Sequence, residues 1–86
     1  MKYKIYILFS ETFKRTYVGF SEDPSKRLEA HNSGKVISTK KYMPWRIVYL
    51  EEFNDYNEVR KKEKYYKSGA GRRKIRVIFD ELGLNN

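Results

Sequence analysis

The chain has no cysteine, which excludes disulfides and thiolate zinc sites and suits a reducing cytoplasm. It also lacks a long apolar run. The most hydrophobic stretch of the opening MKYKIYILFS, residues 5–9, is too short for a signal-peptide core or a membrane span, so a full-length cytoplasmic protein is expected. No repeat, linker or low-complexity tract interrupts the 86 residues, which leave room for a single domain, 1–86, with one modest core. Acid is scarce as well: 11 Asp and Glu face 19 Lys and Arg, for a net charge of +8. Such a surplus on a small domain favours a polyanionic partner.

The scarcity of acid is sharpest over residues 60–76. Arg60, Lys61, Lys62, Lys64, Lys67, Arg72, Arg73, Lys74 and Arg76 crowd there around one acid, Glu63. Neutralising phosphates is the direct use of such a run. A membrane surface is disfavoured, because the helices lack a Trp/Phe/Leu face to insert beside their basic one.

What is present reads as β-β-α-β-α-α. The β-rich YKIYILF (residues 3–9) and RTYVGF (15–20) predict a hairpin, and WRIVYLEEF (45–53) a third strand. In SEDPSKRLEAHNSG, Asp23 is a helix cap, Pro24 the first helical residue and Gly34 the stop. KVISTKKYMP is a basic loop closed by Pro44. Asn54 or Asp55 caps a second helix running to about Lys67, where SGAG breaks it. RRKIRVIFDELG predicts a last helix with Ile75, Ile78, Phe79 and Leu82 on one stripe. The fold class is α+β, with a small, mostly antiparallel three-stranded sheet and flanking helices.

Alternation puts Tyr3, Ile5, Ile7 and Phe9 on one face of the first strand and Lys4, Tyr6 and Leu8 on the other. A turn around Glu11-Thr12 sets Tyr6 directly across from Tyr17, with Cβ atoms about 5 Å apart, beside Gly19. Arg27 and His31, four apart, share a helix face. On the second helix Tyr56, Val59, Glu63 and Tyr66 fall on one stripe, so Glu63 takes a place where an apolar residue is expected. An inward carboxylate needs a partner, a metal or a shifted pKa, and a salt bridge to Arg27 or another base is the ordinary solution. Taken singly, a strand tyrosine is more often packing, a helix arginine solvated and a lone histidine structural.

KIYIL followed by YVG, with RLEAHNSG and KKEKYYKS downstream, resembles the GIY-YIG nucleases over nearly the whole chain. The likeness is to their small stand-alone bacterial members, related to the nuclease domain of the excinuclease C subunit. It implies that Tyr6 and Tyr17 are the signature tyrosines, Arg27 the helix arginine, His31 the polar residue of the next turn and Glu63 the single acidic metal ligand. Lys4 stands where the signature has its first glycine and Val18 where it has isoleucine.

The resemblance further implies a metal-dependent DNA endonuclease, acting in DNA repair or recombination, with Mg²⁺ or Mn²⁺ as cofactor. Its alternative is a nucleic-acid-binding module of the same fold with little or no catalysis. Lys35, Lys40, Lys41, Arg72, Arg73 and Lys74 are expected to contact flanking phosphates, with Tyr42 or Trp45 as stacking partners. A protein partner is expected to assist substrate recognition.

Overall fold

The computed structural model describes residues 2–84. Strand β1 (Tyr3–Ser10) lies at the centre of the sheet, between β2 (Arg15–Ser21) and β3 (Arg46–Phe53), and both pairings are antiparallel. A central strand covered on both faces has no solvent side, which is why β1 reads as an almost unbroken apolar run. Ile5, Ile7 and Leu8 are fully buried and Tyr6 nearly so.

The hairpin register differs from the expected one. Tyr6 pairs with Gly19, and Tyr17 pairs with Leu8. The connection takes the four residues between Ser10 and Arg15, ending on Lys14 in the left-handed region at φ 55, so its centre falls later than Glu11-Thr12. The slip is two residues, and a two-residue slip preserves the face to which each side chain points. Tyr6 and Tyr17 therefore still share a face, as diagonal neighbours. In β3 a bulge opposite Ile7 and Leu8 lets Val48 and Tyr49 both reach the same core.

Helix α1 (Pro24–Asn32) starts as the sequence indicates, with the Asp23 side chain accepting from the Lys26 N–H at 3.2 Å. It ends before Gly34, whose φ of 79 suits a residue without Cβ. The basic loop holds a short 3₁₀ turn at Lys40–Tyr42. Helix α2 (Tyr56–Lys67) is capped by Asp55. Helix α3 (Gly69–Glu81) begins three residues before the expected Arg72. Ser68 alone forms the break: it closes α2, and its Oγ accepts from the Gly71 N–H at 3.2 Å to start α3. Gly71 lies so close to the Tyr65 and Tyr66 backbone that a Cβ would overlap it, so this glycine lets the two helices join closely, whereas a Cβ at Gly69 would meet nothing.

Each sheet face has its own cluster. α2 and α3 cover Ile5, Ile7, Phe9 and Val18 with Val59, Tyr66, Ile75, Ile78 and Phe79. Leu82 departs from its expected stripe: it is the helix cap, half exposed, and Leu84 packs on the core in its stead. Tyr56 is also more exposed than its stripe predicts, sitting at the helix start edge-on to Tyr3 and Phe20. On the opposite face α1 and the basic loop cover Tyr6, Leu8 and Trp45.

Candidate active site

Tyr6 projects from the centre of β1 toward β2, and its phenol crosses above Gly19. A Cβ at position 19 would stand 2.5 Å from the Tyr6 hydroxyl and 3.1 Å from the Tyr17 ring. Glycine there is a requirement of close approach. The Tyr6 and Tyr17 ring centres lie 6.3 Å apart, and His31 packs against both, 5.9 Å from Tyr6 and 4.8 Å from Tyr17.

His31 is fully buried, and both ring nitrogens are engaged. Nε2 is 3.2 Å from the Tyr6 hydroxyl, and Nδ1 is 2.8 Å from Thr39 Oγ1. The Thr39 hydroxyl donates to the Val36 carbonyl at 3.3 Å, which leaves its oxygen to accept from Nδ1–H. Nε2 is then the acceptor, and the Tyr6 O–H donates to it. Burial first, and the charge of Arg27 second, hold His31 below its ordinary pKa, so the ring is neutral.

Arg27, exposed and one helical turn before His31, presents its guanidinium to the Tyr6 phenol. Burial pushes the phenol above its ordinary pKa; Arg27 opposes the rise, and Tyr17 and then Glu63 add to it. The acid on α2 is thus brought within electrostatic reach of the tyrosine on β1. Glu63 keeps 21% of its side chain exposed and pairs with Lys67, Oε2 to Nζ 3.1 Å. Its basic partner is therefore the lysine one turn ahead. Lys67 also lies 5.9 Å over the Tyr17 ring, tying the end of α2 to the same site.

The structure thus brings Tyr6, Tyr17, Arg27, His31 and Glu63 together at the outer edge of the sheet. No cluster of three metal-ligating side chains occurs among the described residues. The donor set nonetheless suits magnesium, which keeps most of its waters and takes one or two carboxylates plus substrate phosphates. Glu63, partly open to solvent beside the tyrosines, offers one such carboxylate.

The six expected phosphate contacts are all exposed but do not form one patch. Lys35, Lys40 and Lys41 lie on the loop after α1. Arg72 faces the β2 edge near Tyr17, and Arg73 and Lys74 lie elsewhere on α3. Trp45 is not a stacking surface: it is buried, its Nε1 donates to the Thr39 carbonyl at 2.9 Å, and its backbone exchanges two hydrogen bonds with the Asn32 amide. Tyr42 is half-buried between Phe13 and Trp45, with Arg15 4.8 Å over its ring. Thr39 escapes sequence reasoning, since one threonine in a basic loop carries no signal of what it will face.

A family model described as the GIY-YIG catalytic domain matches residues 2–76. The chain belongs to the GIY-YIG family. Among the proteins it resembles is a UPF0213 protein of Limosilactobacillus reuteri, 29% identical over 82 residues and spanning 92% of this chain and 84% of the relative. A structure-specific endonuclease subunit SLX1 homolog of Giardia intestinalis is 43% identical over 42 residues, covering 45% of this chain and 12% of that protein. The solution NMR structure of a UPF0213 protein from Bacillus halodurans superposes with a TM-score of 0.55 at 28% identity, over 91% of this chain and 83% of that one. The matched residues include β1 and β2, whose Tyr6 and Tyr17 pack against His31. No helix among the described residues is long and apolar enough to cross a membrane.

Proposed function

We propose that this chain is a divalent-metal-dependent DNA endonuclease. The observation that carries the reading is the meeting of Tyr6, Arg27, His31 and Glu63, from three separate elements, around one buried phenol. Phosphodiester hydrolysis needs an activated water, neutralisation of the charge on the pentacoordinate phosphorus and a stabilised leaving 3′ oxygen. Arg27 donates to the non-bridging oxygens. Tyr6 takes the proton from water once its own proton has passed to His31 Nε2, and Thr39 keeps that nitrogen free to receive it. The transfer leaves a phenolate paired with an imidazolium, and the guanidinium of Arg27 beside the phenol favours its ionised form.

Glu63 would hold Mg²⁺ or Mn²⁺. When bound, the ion supplies charge stabilisation for the leaving oxygen. Tyr17 walls the site on its outer side, and Lys67 holds the Glu63 carboxylate near it. The net charge of +8 supports DNA as partner, and the absence of cysteine supports a cytoplasmic setting. The structure-specific endonuclease subunit among the relatives supports work on repair or recombination intermediates, with a partner protein aiding substrate choice.

The test is cleavage of end-labelled single-stranded, double-stranded and branched DNA in magnesium, manganese or chelator. Wild type is expected to cut in a metal-dependent way, and Glu63→Gln to lose about 100-fold or more of the rate while still binding DNA. Salt-sensitive binding with no cutting on any substrate would turn the reading into a nucleic-acid-binding module. Full cleavage by Glu63→Gln would remove the metal role from this residue.

A further inference from the structure

A groove of about 610 Å³ runs between the outer edge of β2 and the corner where α2 meets α3. Its exposed rims carry Lys14, Arg15, Lys67 and Arg72, and its floor is apolar, with Val18 and Phe79. No acid lines it among the described residues. Tyr17 belongs to it too, and the same ring packs 4.8 Å from His31, so the groove opens from the candidate active site. β2 is an outer strand, so backbone N–H and C=O groups on its free side have no strand partner.

We propose that this groove holds an unpaired strand of DNA adjoining the phosphate to be cut. The inference rests on the nuclease reading and deepens it by naming a substrate form: a duplex carrying a single-stranded arm. Three observations lead there. The rims are cationic and no acid lines the groove among the described residues, where Lys67 alone of the four rim cations is in an ion pair, with Glu63; this matches a phosphate backbone. The floor is apolar and ends at Tyr17, which matches bases out of their stack, as on other single-strand surfaces where a basic groove runs beside aromatic rings. The volume lies in the range of pockets that enclose a small molecule, enough for a short single strand and far too little for a duplex.

Arg15 on β2 and Arg72 on α3 both line the groove and both are exposed, so replacing them does not open the core; the Arg15 guanidinium also lies 4.8 Å over the Tyr42 ring. Arg73 and Lys74 are one and two residues beyond Arg72 on the same helix and do not line the groove. They are the internal control for charge alone.

The experiment is equilibrium binding by fluorescence anisotropy in chelator, where cutting does not interfere. It compares a blunt duplex with the same duplex carrying a single-stranded arm, across a salt series. Wild type is expected to bind the armed duplex at least about tenfold more tightly than the blunt one. Arg15→Ala/Arg72→Ala is expected to lose that preference, with the salt slope on the armed duplex falling by about 1.4, or 0.7 for each lost single-strand phosphate contact. Arg73→Ala/Lys74→Ala removes two expected phosphate contacts outside the groove, so it should weaken binding to both duplexes alike and keep the preference. No preference in wild type, or equal loss of preference in both double variants, would overturn the groove as a strand path. Because no cleavage is measured, a protein that keeps the preference but never cuts overturns the nuclease reading and leaves the groove standing.

Discussion

Two tyrosines, Tyr6 and Tyr66, are almost equally buried, one on each side of the same sheet, and both donate their hydroxyl to a neighbouring side chain. Burial pushes both phenols above their ordinary pKa. Their partners differ. Tyr66 donates to Glu51 at 2.9 Å, with Tyr49 beside it, and both neighbours push its proton further toward staying. Tyr6 meets the neutral acceptor His31 and the cation of Arg27, which favours the ionised form. The same residue type at the same depth is thus a fastener on the α2–α3 face and, in the function proposed above, a proton carrier on the α1 face. Burial alone identifies neither; the charge and tautomer of what surrounds the oxygen do.

Removing each hydroxyl in turn breaks the comparison most strongly. Tyr6→Phe keeps the ring and is expected to lower the cleavage rate about 100- to 10,000-fold, the range for loss of a general base, with little change in DNA affinity. Tyr66→Phe should leave the rate within about twofold and cost about 1 kcal/mol of stability, one net hydrogen bond. Glu51 remains near Tyr49 and Lys62, so its carboxylate is not stranded. Single-turnover cleavage and urea unfolding on both variants decide the matter. Equal losses of rate would deny Tyr6 its special place.

Glycine sharpens the same contrast at smaller amplitude. Gly19→Ala pushes a methyl against the end of the buried Tyr6 ring, a side chain and not backbone, so a folded protein with a displaced phenol is expected and cleavage falls about 10- to 100-fold. Gly71→Ala instead meets the backbone of Tyr65 and Tyr66, which cannot yield. Its cost is stability, at or above about 3 kcal/mol, the upper end of ordinary overpacking. A Gly19→Ala protein with wild-type cleavage would show that the position of Tyr6 tolerates more than the close contact implies.

How much of this could be read in advance follows from the range of the forces involved. Alternation in β1 and the cap and stop of α1 are local, and Asp23, Pro24 and Gly34 announced them. That Tyr6, Tyr17, Arg27, His31 and Glu63 would gather was legible because motif order places them at fixed separations. The register was not, since its two-residue slip depends on Lys14 adopting a left-handed turn that no residue type there demands. That Ser68 alone separates α2 from α3 was hidden, because glycine signals a break as well as the close approach that Gly71 makes. Thr39 and the Asn32 amide hold His31 and Trp45 through contacts between remote segments, which local pattern does not encode.

The gentlest separation of the two faces is by pH. His31 is the chain's one histidine and lies on the α1 face, with its pKa below the ordinary value of about 6.5. As pH falls through 6.5, the unfolded chain takes up a proton at this residue before the native one does, so the folded state loses stability. The loss continues down to the native pKa and then levels, with a slope of at most about 1.4 kcal/mol per pH unit. Above about pH 10 the order reverses: unfolded Tyr6 and Tyr66 ionise before their native counterparts, and stability falls again. Unfolding measured from pH 5 to 8 should therefore show an acid limb that His31→Gln removes and Tyr66→Phe leaves intact. An acid limb that survives His31→Gln would mean that another group titrates there and that the buried imidazole is not held neutral. Its disappearance would tie the limb to the α1 face alone, whereas the alkaline limb draws on both.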